Sequence, residues 1–206
     1  QWNTNGASLV WVQVPRLTNG AGIRMFWGNA SAPALPVTAT NGAVWTNGYV
    51  GVYHLKSASV TDSAASPQNA SANSATATNG IVGGGLQFNG TNQFTTIPHN
   101  AKFNLATNFE IQCWFKIAAA DKPAVNDYRT LTSKEVDSNN RNWWLVVRPE
   151  GTLWWKSSAS IDFLTSTDLA NSQWHMMSAV HDGATARIYV DGVQVATDAT
   201  PASAET

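Results

Sequence analysis

Apolar and polar positions alternate with period two through several short runs of this chain, the pattern of strands that turn one face to a core. The clearest run extends from Trp174-His175-Met176-Met177-Ser178-Ala179-Val180 to Ala186-Arg187-Ile188-Tyr189-Val190. His181-Asp182-Gly183 joins its halves and Asp191-Gly192 follows, and Asp-Gly pairs supply the positive φ of tight hairpins. A second hairpin is predicted where Trp143–Arg148 and Leu153–Lys156 flank Pro149-Glu150-Gly151. Its parity sets Trp143, Leu145, Val147, Leu153 and Trp155 on one face, and Trp144, Val146, Arg148, Trp154 and Lys156 on the other. The face without charges is the one expected in the core, so Trp144 and Trp154 should lie diagonally on the outward face. In Phe109–Ile117 the inward set is Phe109, Ile111, Cys113, Phe115 and Ile117, leaving Glu110, Gln112, Trp114 and Lys116 outward. Trp114 is expected to share the outward sheet face of Trp144 and Trp154.

Earlier in the chain the pattern is looser. Residues 8–28 read as a hairpin: Ser8–Val14 is β-branched, an Asn19-Gly20 turn follows, and Ile23–Trp27 returns. Residues 29–47 are rich in Ala, Pro, Thr and Asn-Gly pairs and read as a loop or linker. Tyr49–Leu55 alternates as a first strand, Ser57–Asn79 has no periodicity and reads as a long loop, and Leu86–Ile97 reads as a hairpin around Asn89-Gly90. These runs predict an all-β sandwich of two antiparallel sheets with almost no helix.

Composition narrows the possibilities. The chain has 206 residues, enough for one large sandwich, and only 12% of them are charged, against roughly 25% in soluble domains. Net charge is −1 with no basic stripe, which argues against nucleic-acid binding. No apolar run approaches the length of about 18 residues that marks a membrane span. The chain opens at Gln1 without a Met or a signal peptide and reads as a processed or excised piece. Its Asn-, Thr-, Ser-, Ala- and Gly-rich polar surface leans toward an extracellular or cell-surface setting. Cys113, the single cysteine, rules out an internal disulfide and reads as a small core residue.

The run from Trp174 to Gly192 resembles the "gxWHhVA…yDG…lYVDG" signature of laminin-G-like modules in the concanavalin-A-like superfamily. Gly83–Pro98 resembles that family's "GgaLxFdGtxdyvxip", with Asn89-Gly90 where Asp-Gly is common, and Phe109–Ile117 resembles its "FTIsaWvk". The resemblance implies a jelly-roll sandwich over residues 49–206 and a module that binds or builds rather than catalyses. Trp11-Val12-Gln13-Val14-Pro15 and Met25–Ala32 resemble the "WVkVP" and "mYYGNpsA" of a bacterial domain of unknown function that often precedes such modules. Residues 1–48 would then be the C-terminal hairpin and linker of that domain. The family's closing acidic strand should follow Asp198. Its absence would leave an edge for the N-terminal hairpin or a neighbouring molecule to fill.

Ten tryptophans in so uncharged a chain invite a carbohydrate reading, because an indole face is apolar while its N–H can hydrogen-bond. Trp114, Trp144 and Trp154, with Gln112, Arg148 and Lys156 as polar contacts, are the candidate ligand-binding set, suited to stacking on a neutral sugar. Two other arrangements fit the same residues: rings covered by long loops as a second small core, and a protein interface. Trp2, Trp11, Trp27, Trp45 and Trp174 are read as packing residues.

Glycoside hydrolysis needs two carboxylates about 5–10 Å apart. The E-x-D-x-x-E of laminarinase-type relatives does not occur, and His54, His99, His175 and His181 lack zinc spacing, so no enzyme is expected. Some sandwiches of this kind hold Ca²⁺ at a rim, and Asp62 in Val60-Thr61-Asp62-Ser63 resembles one ligand segment. The other reading of Asp62 is a side-chain turn. No cofactor is required, although a structural Ca²⁺ would be compatible. The leading function is non-catalytic glycan or surface binding in a bacterial extracellular protein. The alternative is a structural module of an adhesin, fibre or other assembly that makes only protein contacts.

Overall fold

The computed structural model describes residues 8–34, 37, 41–137, 140–157 and 161–199. They form two compact units, residues 1–98 and 99–206. Among the described residues the strands of the first unit are β1 (Ala72–Asn73), β2 (Thr76–Asn79), β3 (Gly84–Gln87) and β4 (Thr95–Thr96). Those of the second are β5 (Phe109–Phe115), β6 (Arg129–Asp137), β7 (Asn140–Val147), β8 (Leu153–Lys156), β9 (Asp162–Leu164), β10 (His175–His181), β11 (Ala186–Val190) and β12 (Val193–Asp198). Helix among the described residues is confined to single 3₁₀ turns such as Ala101–Phe103 and Ala119–Asp121.

The second unit is a sandwich of two antiparallel four-stranded sheets, in the orders β6-β7-β8-β9 and β12-β11-β10-β5. Trp143, Leu145, Val147, Leu153 and Trp155 from the first sheet meet Phe115, Met177, Ala179, Ile188 and Val190 from the second in one core. Phe109 sets its ring edge-on against Trp155 at 5.9 Å. The predicted inward face of the tryptophan hairpin is found, in a register that sets Leu145 opposite Trp155 and Val147 opposite Leu153. Cys113 packs against this core, and burial pushes its thiol up to about 12, so it stays protonated.

The β10–β11–β12 meander follows the predicted turns. Asp191 and Gly192 both take positive φ, 51° and 81°, in a two-residue loop between Val190 and Val193. Asp191 also braces its neighbour: Oδ1 accepts the Met176 N–H at 2.8 Å and Oδ2 lies 2.8 Å from His175 Nδ1. The Met176 N–H and carbonyl thus both pair with Asp191, since the Asp191 N–H donates to the Met176 carbonyl at 2.9 Å. These bonds connect the Trp-His start of the signature to its Asp-Gly end.

Several expectations fail in the first unit. Residues 8–28 form no strand, although Gly20 (φ 81°) and an Ala21 N–H to Thr18 C=O bond of 2.9 Å make the expected turn. The alternation there supplies apolar residues to both sides, and a lone hairpin is marginal without a further layer. Phe26 is 88% exposed and Trp27 76% exposed, so Trp27 is not a packing residue among the described residues. Trp11 instead stacks on His54 (5.1 Å) and packs against Trp45 (5.3 Å). Trp2 lies outside the described residues.

Tyr49–Leu55 makes a single bridge, Tyr53 to Asp62, rather than a strand. Part of the expected loop 57–79 is paired, as β1 and β2. The Asn89-Gly90 turn is present, with Asn89 Oδ1 accepting the N–H groups of Thr91 (3.0 Å) and Asn92 (3.2 Å). Its flanking strands do not form a hairpin, because β3 pairs with β2 and β4 with β1. A turn signal specifies a local reversal and not which strand lies next to which.

Asp191→Ala is expected to lower the unfolding free energy by about 1–3 kcal/mol, since it places a Cβ residue without a capping carboxylate at positive φ and strands the Met176 N–H. Asp191→Asn, which tolerates that φ and keeps an acceptor, should lose less. Urea unfolding of the two variants gives the comparison.

Candidate functional site

The outward face of the β6–β9 sheet is where alternation leaves side chains that the core cannot use. Thr130, Val146, Trp154 and Leu164 lie in one row across its four strands, each paired with the next. Trp144 sits diagonal to Trp154, opposite Lys156, as the parity predicts. The two indoles meet at 5.3 Å and 57°, and Tyr128 closes on both, at 5.1 Å from Trp144 and 5.7 Å from Trp154. All three rings are half-buried, and Val146 beneath them is fully buried despite its outward parity. The rings themselves are therefore the cover, a small apolar layer on the outer surface of the sheet.

Polar groups fix each indole. Trp154 Nε1–H donates to Asp162 Oδ1 at 2.7 Å, and Trp144 Nε1–H donates to Thr130 Oγ1 at 3.3 Å. Arg141 lies over Trp144 at 4.4 Å, while Arg148 and Lys156 lie 5.2 and 5.1 Å from the Trp154 ring. Each of these cations has a carboxylate partner: Arg141 with Glu135 at 2.7 Å, Arg148 with Glu150 at 3.3 Å and Lys156 with Asp162 at 3.1 Å. In every pair the cation is the more covered partner, 15–31% exposed against 32–60% for the carboxylate. The face is thus layered outward as apolar rings, then cations, then carboxylates. Burial alone would raise the Asp162 carboxyl, but the bonds from Trp154 and Lys156 and the charges of Lys156 and Arg148 outweigh it and hold it below the ordinary carboxylate range.

Four of the predicted contact residues, Trp144, Trp154, Arg148 and Lys156, come together here. Two do not. Trp114 and Gln112 stand on β5, which belongs to the other sheet, opposite Met176 and Ser178 of β10. Trp114 is 43% exposed there, and the Gln112 amide donates to Glu110 at 2.6 Å. Parity along a strand gives the side of a sheet and says nothing about which sheet, so the grouping of Trp114 and Gln112 with the hairpin is corrected. Trp174 precedes β10 and has Lys116 at 5.6 Å from its ring.

Tyr128, Arg141 and Asp162 were not anticipated. Tyr128 precedes β6 in a stretch without alternation, and β6 itself is interrupted by register shifts that hide its period. One such shift, between Lys134 and Glu135, sets Arg141 opposite Glu135. Asp162 sits on a three-residue strand too short for a periodic signal.

Asp62 makes the side-chain turn of its other reading. Its Oδ1 accepts the N–H groups of Val52 (2.8 Å) and Ala64 (2.9 Å), and Oδ2 accepts that of Gln68 (2.9 Å). Donor hydrogens converge on both oxygens, and the carboxylate, 8% exposed, organises the loop. Among the described residues no group of three or more His, Cys, Asp or Glu side chains could hold a metal ion. No helix among them is long and apolar enough to cross a membrane.

Comparison with known proteins agrees with this architecture. Residues 89–206 match the family model described as the concanavalin A-like lectin/glucanases superfamily, and the chain belongs to that superfamily. The binding domain of Paraclostridial Mosquitocidal Protein 1 has a similar structure, with a TM-score of 0.61 at 15% identity over 76% of this chain and 42% of that one. The chain therefore spans less than half of that domain, and the likeness concerns the fold alone. Domain 4 of AbnA, a GH43 extracellular arabinanase from Geobacillus stearothermophilus solved with arabinotriose, gives a TM-score of 0.48 at 19% identity, covering 65% of each chain. An S-layer domain-containing protein from Clostridium thermocellum gives 0.45 at 16% identity, covering 74% of this chain and 73% of its own. No match was found among curated proteins.

Three outcomes follow from the geometry. Asp162 has a depressed carboxyl, so its contribution is complete above the ordinary carboxylate value of about 3.9 and is lost as pH falls through its lower folded value. The Trp154 indole N–H resonance should hold steady from neutral pH down to about 4 and move below it, and Asp162→Asn should abolish that titration. Millimolar Ca²⁺ or a chelator should leave the melting temperature unchanged. Asp62→Ala, by contrast, should destabilise the first unit by about 1–3 kcal/mol by orphaning backbone donors.

Proposed function

We propose that this chain is a non-catalytic glycan-binding module and that it binds through the outward face of the β6–β9 sheet. The observation that carries the reading is the cluster of Tyr128, Trp144 and Trp154, three half-buried rings on a sheet face that the sandwich core does not use. Sugar C–H faces pack on such rings, and the paired charges around them supply donors and acceptors for hydroxyls. Leu164, 45% exposed beside Trp154, extends the apolar bed to the edge of the sheet. The rim carboxylates each bind a cation, an arrangement suited to holding a ligand rather than to moving protons.

Such a module belongs in a bacterial extracellular or cell-surface protein. In the same reading, residues 1–48 continue a preceding domain and residues 49–206 belong to the sandwich module. A second reading, a structural module of an adhesin or fibre that makes protein contacts, draws on the apolar run of the first unit. Val10, Val12, Ile23, Met25, Phe26 and Trp27 are all more than half exposed there.

Native affinity electrophoresis in polysaccharide gels separates the two readings. Trp154→Ala and Tyr128→Ala should weaken retention by about five- to a hundredfold, the loss expected for roughly 1–3 kcal/mol of stacking. Trp154→Phe, which keeps a ring, should recover part of it. Trp114→Ala, on the opposite sheet, should bind as the parent does. Equal retention of all four variants would remove the glycan reading of this face.

A further inference from the structure

We propose that this face selects uncharged sugars and that Asp162 is the residue that sets the selectivity, an inference that rests on the glycan-binding reading above. The rings carry three cations, which would ordinarily attract uronates, sulfated glycans or phosphates. Here Arg141, Arg148 and Lys156 are already matched one to one by Glu135, Glu150 and Asp162. The carboxylates are also the outer members of their pairs. An approaching anion therefore meets acidic groups before it can reach a guanidinium or ammonium.

A positively charged ligand fares no better at the rings. Arg141 at 4.4 Å, Lys156 at 5.1 Å and Arg148 at 5.2 Å already lie against them and repel a further cation. With centroids only 5.1–5.7 Å apart, the three rings also leave no cage between them for a cation. Both indole N–H groups are engaged by the protein. What remains for a ligand is ring surface plus adjacent donor and acceptor groups of opposite charge, which suit hydroxyls that both donate and accept.

Asp162 is distinguished among the three carboxylates because it does two things at once. Oδ1 takes the Trp154 indole N–H at 2.7 Å and so orients the ring, while Oδ2 takes Lys156 at 3.1 Å and so cancels its charge. Lys156 lies directly opposite Asp162 in the β8–β9 ladder, so the pairing is built into the register. Glu150 and Glu135 neutralise their arginines, while the indole N–H groups of Trp143, Trp144 and Trp154 donate to Thr132, Thr130 and Asp162.

The two roles separate by substitution. In Asp162→Asn the amide oxygen still accepts the indole N–H, but the charge opposite Lys156 is gone. In Asp162→Ala both are gone. Native gels containing laminarin, arabinan, galactomannan or xyloglucan as neutral probes, and polygalacturonate or heparin as anionic ones, read the result.

The parent protein should be retained by a neutral probe and pass the anionic gels unretarded. Asp162→Asn should keep neutral retention within about threefold and gain about twofold to fivefold in retention by an anionic probe, a gain that 0.5 M salt (on the order of a 4 Å Debye length) removes. Asp162→Ala should lose neutral retention as Trp154→Ala does. Glu150→Gln, which leaves the Trp154 N–H bond untouched, should shift toward anionic probes in the same direction and serves if either Asp162 variant misfolds.

Parent protein held as strongly by polygalacturonate or heparin as by any neutral probe would overturn the selectivity while leaving the face as the binding site. Absence of any anionic gain in both Asp162→Asn and Glu150→Gln would overturn the role given to the carboxylates. Retention of the parent by no probe, or of Trp154→Ala as fully as the parent, would instead defeat the glycan reading on which the inference rests.

Discussion

Period two in the β7–β8 hairpin binds the core and the candidate site to each other. Adjacent residues of one strand must point to opposite faces, so Leu145 and Trp155 cannot enter the core without sending Trp144 and Trp154 outward. A slip of one residue would exchange the two sets and bury Arg148 and Lys156. That cost makes the register robust. The Trp144 and Trp154 rings are thereby placed by the same packing that stabilises the sandwich, on the two middle strands of the sheet.

Outward rings on a sheet would ordinarily waste apolar surface. Here Tyr128, Trp144 and Trp154 cover Val146, which is as buried as the core residues. The cations complete the cover with their stems and charges, and the carboxylates tether the cations. Because each pair is partly exposed, it contributes little to stability. Its consequence is local and chemical: rings held in place, charge cancelled, and donors and acceptors left at the edge.

The first unit is organised by polar groups in place of a large core. Asp62 gathers three backbone N–H groups, Asn89 caps a turn, and Asn73 accepts the Thr95 hydroxyl at 2.7 Å across β1 and β4. Short ladders and side-chain turns of this kind suit a chain in which Asn, Ser and Thr replace charged residues. They also explain why its strands are weakly signalled, since two- to four-residue ladders carry no readable period.

By itself the sequence determined the all-β class, the β7–β8 and β10–β11–β12 hairpins with their facing residues, the inward place of Cys113, and the outward parity of Trp144 and Trp154. These rest on alternation and on Asp-Gly or Glu-Gly turns, which are local and act within a few residues. The family resemblance pointed to the same sandwich. Only the tertiary structure decided that Trp114 and Gln112 stand on the other sheet, that β3 and β4 pair with different partners, that residues 8–28 form no hairpin ladder, and that Tyr128, Arg141 and Asp162 join the indoles. Strand order, bulges and loop approach depend on contacts between segments far apart in the chain, and no local pattern encodes them. The same holds for the charges: Lys156 is legible as an outward cation, but its partner Asp162 is found only when β9 comes alongside β8.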